Sequence, residues 1–239
     1  MTQTRIVSLT WPKLAVFGLA VAMLGTAGGW LASWATMGQV VHSYVLAHPE
    51  ILPQAMENLR KNDDAKQLAG VRGDIEKPFP GAILGNPNGK VVVVEFADYA
   101  CGYCKRSVAD LNALIAENPN IKVVMRELPI LSPQSADAAK MAMAAAEQGK
   151  YPAFHNAMYE IGKPDAQTIE AAAKAAGMDL ARARRTIADP KLEAEIDRNM
   201  GFARQLGFQG TPSWVIGERL LSGAVGKDAL AAAIADAKT

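Results

Sequence analysis

The sequence predicts an α/β domain that carries a large helical insertion and is preceded by an N-terminal helical segment. Three observations predict it. Val91–Ala97 (VVVVEFA) and Ile121–Arg126 (IKVVMR) are short apolar runs with a helical stretch between them, the pattern of a strand–helix–strand crossover. A helical block rich in alanine follows, from about 133 to 206, and the tail then returns to short strand-like runs and one last helix. Half of the 239 residues are hydrophobic, 21% are charged and the formal net charge is +1. That hydrophobic share excludes wholesale disorder, and the near-neutral balance excludes an electrostatic nucleic-acid binder. It leaves one substantial domain plus an appendage, or two small domains.

Residues 1–37 form the first section. Arg5 and Lys13 flank a stretch from Leu14 to Val41 that holds no charged residue, and a membrane span takes roughly 20 apolar residues. The basic flank would stay in the cytoplasm. The expectation is a periplasmic protein anchored to the inner membrane by residues 14–37, with Trp30 and Trp34 at the outer interface. The alternative is a cleaved signal with its core at Leu14–Leu24 and its exit at Gly25-Thr26-Ala27 or Ser33-Trp34-Ala35, releasing a soluble periplasmic chain. Either route places the cysteines in an oxidising compartment.

Residues 38–69 are predicted helical, with Val41, Val45, Leu52, Met56 and Leu59 recurring at threes and fours. Pro49 and Pro53 favour two helices or a bent one over a single rod. A stripe on so short a segment must pack on something. Self-association through residues 39–69 into a homo-oligomer is the expected use; packing on the chain's own domain and a plain stalk are the other readings. Residues 70–90 are expected as a linker, with a short edge strand at Ala82–Leu84. Gly85–Lys90 (GNPNGK) superficially resembles a phosphate loop, but it has three residues between its glycines where four are required, and no Ser or Thr follows the lysine. It reads as a turn before a strand.

Residues 91–239 are the expected catalytic domain. The single acid in VVVVEFA marks a central strand buried on both faces. A helix begins at the cysteines, runs through Val108, Leu111, Leu114 and Ile115, and ends at Asn118-Pro119. Ser132-Pro133, Asp165, Asp179 and Asp189-Pro190 read as caps of successive helices, and another helix is expected at Tyr151–Ile161. Leu192, Ile196, Met200, Ala203 and Leu206 make one face of the last helix of the block. Ser213–Ile216 and Arg219–Ser222 form a hairpin about Gly217-Glu218. Gly226 leads into a final helix that buries Leu230, Ala233, Ile234 and Ala237.

The chemistry centres on Cys101 and Cys104, the only cysteines, placed where the buried strand gives way to a helix. A sulfur at a helix start is favoured as the thiolate by unpaired backbone N–H groups. Cys101 is therefore assigned as the exposed nucleophile. Cys104, a turn further in, would attack the mixed disulfide. A zinc site needs a second pair of ligands, and His42, His48 and His155 are scattered singly, so neither a metal nor a cofactor is expected. Glu95 is costly inside an apolar strand unless it is neutral or paired. It reads either as a proton relay for Cys104 or as a sheet-end acid paired with Lys90 or Lys122. Pro212 cannot donate to a sheet ladder, so it marks a strand start, an edge or a cis turn. A cis turn would let the Thr211 backbone hold an extended substrate chain.

Together VVVVEFADYACGYCKRS, RELPIL at Arg126–Leu131 and LGFQGTPSWVIGERLLSGAVG at Leu206–Gly226 resemble the DsbA-like branch of the thioredoxin superfamily, over about residues 80–239. The resemblance implies a thioredoxin fold, a cis bond at Pro212 facing the cysteines, tuning and substrate contact by Thr211, and Glu95 buried near the pair. Gly102-Tyr103 lacks the histidine of the family's strong oxidases and looks like the periplasmic disulfide isomerases, as does Thr211. Val40–Lys61 is similar to the oligomerisation region of the copper-sensitivity suppressor and Com1-like proteins. These likenesses imply an exported thiol–disulfide oxidoreductase acting on client proteins with cysteines and served by a membrane thiol redox partner. Isomerase or reductase is the main reading and DsbA-like dithiol oxidase the alternative. A copper-binding envelope protein and a vestigial thioredoxin-fold envelope protein are the rivals from other classes.

Overall fold

The computed structural model describes residues 11–237. The chain divides after Leu59 into two compact units. In the first, helix α1 (Trp11–Ala47) ends where Pro49 interrupts the ladder, and α2 (Ile51–Leu68) begins two residues later. Pro53 falls in the first turn of α2, where a missing N–H costs nothing.

Among the described residues no helix is long and apolar enough to cross a membrane. This corrects the expected inner-membrane anchor at residues 14–37. The expectation weighed the absence of charge, whereas a span needs a helix both long and continuously apolar, and none is found among the described residues. Arg5 of the expected basic flank, and the side chains of Lys13, Trp30 and Trp34, lie outside the described residues.

The second unit starts at Arg60, inside α2. The segment expected as a linker is part of this body. It contributes α3 (Arg72–Ile75) and β1 (Ile83–Gly85), and it buries Val71, Ile75, Ala82 and Leu84. The GNPNGK stretch is a tight turn. Asn86 Oδ1 accepts from Asn88 N–H at 2.9 Å, and a Cβ at Gly89 would stand 2.6 Å from the Asn120 carbonyl oxygen.

The sheet runs β1–β3–β2–β4–β5, with β2 (Val91–Ala97) at its centre, parallel to β3 (Ile121–Glu127) and antiparallel to β4 (Ser213–Ile216). Strand β5 (Arg219–Ser222) closes the far edge. Between β2 and β3 the crossover helix is α4 (Gly102–Glu117). Alternation splits the core. Val91, Val93 and Ala97 face a cluster with Leu111 and Leu114 of α4. Val94 and Phe96 face Leu68, Ile75 and Ala203 on the other side.

The insertion comprises α5 (Pro133–Ala146), α6 (Tyr151–Ile161), α7 (Ala166–Ala175), α8 (Leu180–Ile187) and α9 (Pro190–Gln205). Ser132, Asp165, Asp179 and Asp189 cap four of these helices by accepting first-turn N–H groups. Buried alanines at 138, 142, 145, 172 and 173 let the helices approach closely. Helix α10 (Lys227–Asp236) completes the body.

Candidate functional site

Strand β2 delivers the cysteines to the start of α4. Cys101 is the N-cap residue of that helix, and its Sγ accepts the Cys104 N–H at 3.4 Å. The helix start thereby turns a backbone donor onto the sulfur that carries negative charge during exchange. Both cysteines are free thiols. Cys101 is 5% exposed and Cys104 1%, so the order of burial follows the expectation while the exposed nucleophile does not. The Cys101 thiol points inward and donates to the Thr211 carbonyl oxygen at 3.2 Å. The surrounding surface is open: a side chain added at Gly102 would meet nothing within 4 Å. Tyr103 projects outward, 58% exposed, beneath the Arg106 guanidinium at 4.3 Å. Lys105 reaches back to the Glu160 carbonyl at 3.5 Å.

Thr211 joins Pro212 through a cis peptide bond and opens β4 beside β2. The Thr211 Oγ1 is buried beside the Cys104 thiol. Glu95 stands on β2 across from Trp214 of β4 and Met125 of β3. It is 3% exposed, and burial lifts its carboxyl well above the ordinary range, helped by the nearby Glu127 and Cys101 charges. Its neighbours are therefore acids and thiols, not the Lys90 or Lys122 partners considered for a structural role. Burial also pushes the Cys104 thiol far up, with the Glu95 charge adding to it. Cys104 accordingly needs a proton acceptor to attack and a proton donor to leave.

Several residues of this neighbourhood are not apparent in the sequence reading. Asp98, fully buried, accepts from Ala100 N–H with one oxygen and from Ile130 and Leu131 N–H with the other, at 2.8 to 2.9 Å. It fastens the loop after β3 to the turn that holds Cys101. Glu127 accepts the Tyr151 hydroxyl at 2.6 Å, and Tyr159 donates to the Asp98 carbonyl. His155 lies within this buried aromatic group, its hydroxyl partner Tyr99 3.4 Å away. One signal was available: RE at 126–127 puts two charges at the end of a buried apolar strand. Among the described residues no group of three or more His, Cys, Asp or Glu side chains is placed to hold a metal ion.

The arrangement is a thiol–disulfide exchange centre: a buried sulfur that caps the helix start, a more deeply buried resolving sulfur one turn on, and a protonatable acid beside the second. Residues 92–235 match the DSBA-like thioredoxin domain family, and residues 35–66 match the copper resistance protein ScsC N-terminal domain. A thioredoxin-like oxidoreductase from Silicibacter pomeroyi is 41% identical and superposes with a TM-score of 0.63, over 65% of this chain and 91% of its own. The thiol-disulfide exchange protein alpha-DsbA2 of Wolbachia pipientis is 31% identical with a TM-score of 0.68, over 74% and 97%. Proteus mirabilis ScsC in a transitional conformation is 26% identical with a TM-score of 0.65, over 87% and 97%. The chain spans 24% of the length of the curated relatives it matches, sodium/proton antiporters of Salinispora tropica and Salinispora arenicola that are 29% and 28% identical to it.

Proposed function

Because this chain belongs to the DSBA-like thioredoxin domain family, we propose that it acts as a dithiol oxidase, passing the Cys101–Cys104 disulfide to cysteines of exported client proteins. A client thiolate attacks Cys101 Sγ, the Cys101–Cys104 bond breaks, and Cys104 departs with the electron pair and takes up a proton. A second client thiolate then attacks the client sulfur of the mixed disulfide, a client disulfide forms, and Cys101 leaves as thiolate. Two electrons have moved to the enzyme. A membrane-bound thiol redox partner removes them and restores the disulfide.

The observation that carries this reading is the Cys101 sulfur serving as the N-cap of α4. A reduced form held by the helix start makes the disulfide the reactive state, and a stabilised dithiol is an oxidising couple. This places the oxidase ahead of the isomerase reading, which rested on Gly102-Tyr103 and Thr211. In the mixed disulfide an extended client chain lies along the Thr211 and Pro212 backbone, and Gly102 leaves the space it enters. Glu95 exchanges the proton with Cys104, while Tyr103 and Thr211 tune the pair. Residues 39–69 associate with copies of themselves. That association is supported by the ScsC N-terminal match and by the exposed Val40, Tyr44, Leu52, Met56 and Leu59.

The test mixes the oxidised protein with a reduced, unfolded peptide holding two cysteines. The expected result is one peptide disulfide formed per Cys101–Cys104 pair, and none with Cys101→Ala. Reshuffling of a scrambled client by the reduced protein, with no oxidation of the peptide by the disulfide form, would instead establish the isomerase.

A further inference from the structure

The sheet face behind the cysteines holds a second buried carboxyl that the exchange steps do not use. Glu127 ends β3, and the β2–β3 register sets Met125 opposite Glu95 and Ala97 opposite Glu127. Both acids therefore project to one face, diagonally across a parallel pair. Glu127 is 4% exposed.

The groups around it come from every packed element. Glu95 faces it from β2, Asp98 and Tyr99 from the turn before α4, and Tyr151 from α6, while Asn199 of α9 binds its backbone carbonyl. Around Glu95 stand Cys101 and Cys104 of the α4 start, Tyr99, and Tyr159 of α6. His155, stacked on Tyr151, is held neutral by burial with its pKa pushed down to about 4, so it brings no positive charge. Two buried carboxyls in each other's field resist ionising together. The Tyr151 hydroxyl stabilises charge on Glu127, whose pKa burial nevertheless raises to about 8.

We propose that Glu127 is a positioning residue for the dithiol on the alkaline side: once it ionises, its carboxylate, held by the Tyr151 hydroxyl, keeps on Glu95 the proton that the departing Cys104 sulfur takes up. This rests on the dithiol-exchange reading above. When an external thiolate attacks Cys101 Sγ, the Cys101–Cys104 bond breaks and the electron pair goes to Cys104. Glu95 gives its proton to that sulfur, becomes a carboxylate, and regains a proton from water. Charge on Glu127 makes Glu95 hold its proton to higher pH, and so extends the range over which Cys104 can leave.

The test follows reduction of the full-length disulfide form by glutathione from pH 6 to 10, with each rate divided by the glutathione thiolate concentration. The rate per thiolate is expected to fall on the alkaline side as Glu95 loses its proton. In Glu127→Gln that fall moves down by about one pH unit. In Tyr151→Phe, which leaves Glu127 less willing to ionise before Glu95, it moves in the same direction by less. Tyr151→Phe also carries the test if Glu127→Gln does not fold. A fall that stays in place, or moves up, in a folded variant overturns the proposal. Wild-type disulfide unreactive to glutathione at every pH would instead sink the exchange reading, and this one with it.

Discussion

Glu127 and His155 share a buried face, and burial drives them in opposite senses. The Glu127 carboxyl rises from 4.5 to about 8 and the His155 imidazole falls from 6.5 to about 4. Between pH 4.5 and 8 the native state keeps a proton on Glu127 that the unfolded chain releases, so this acid lowers stability as pH rises. Between pH 4 and 6.5 the unfolded chain binds a proton on the histidine that the native state refuses, so His155 raises stability as pH rises. The two oppose each other below pH 6.5, and above it Glu127 acts in the same sense as Glu95, whose carboxyl burial also raises. Urea-unfolding free energy is therefore expected to fall from pH 6.5 to 8, with Glu127 contributing up to about 1.4 kcal/mol per pH unit, and Glu127→Gln should make the decline shallower while Glu95 keeps its share. A stability that rises over that interval would contradict the burial argument. Cys101, Cys104, Glu95 and Thr211-Pro212 were legible in the sequence, because each breaks a local pattern: cysteines at a helix start, an acid in an apolar strand, a proline at a strand start. Glu127 and Asp98 were not. Their meaning comes from partners on α6 and in the loop after β3, brought near by the fold alone.

At the scale of elements, one side chain joins three. Arg126 of β3, fully buried, donates to the Ile75 carbonyl of α3 at 3.1 Å, to Glu195 Oε1 at 2.7 Å and to Asn199 Oδ1 at 3.1 Å on α9. It also donates to the carbonyls of Asp74 and Lys77. Removing it leaves the buried Glu195 with only the exposed Arg198, 3.2 Å from its other oxygen, and strands the carbonyls at the end of α3. Arg126→Met is expected to cost about 3–5 kcal/mol, the usual consequence of breaking a buried pair from one side. Chemical denaturation measures it, and a loss under about 1 kcal/mol would mean the arginine is replaceable by apolar packing. The helix caps at Ser132, Asp165, Asp179 and Asp189 were readable because capping is a contact within one turn. Helix α3 and the burial of Val71 and Ile75 were hidden in a Gly- and Pro-rich stretch read as a linker. What orders that stretch is Arg126, some fifty residues later in the chain.

For the whole molecule, the sheet order places the central strand, the dithiol and the Thr211-Pro212 turn at one end of the fold, and the strand–helix–strand pattern foretold most of that order. The N-terminal run was misjudged as a membrane span because lack of charge is not the same as sustained apolarity. The exposed stripe between α1 and α2 gives a prediction at this scale. Light scattering should find the intact chain at a multiple of its 25.4 kDa mass, and Tyr44→Glu with Met56→Glu should reduce it to a single chain. An intact protein that is already a single chain would refute the self-association. A last consequence lies in Trp214. Three of the four tryptophans occur at or before residue 34, and this remaining one is wholly buried opposite Glu95, with its indole N–H on the Gly223 carbonyl at 3.1 Å. An indole's fluorescence responds to the field around it, so the protein has a built-in optical gauge beside the acid proposed to give up its proton to Cys104. Catalysis can be watched in its own light, with no label attached.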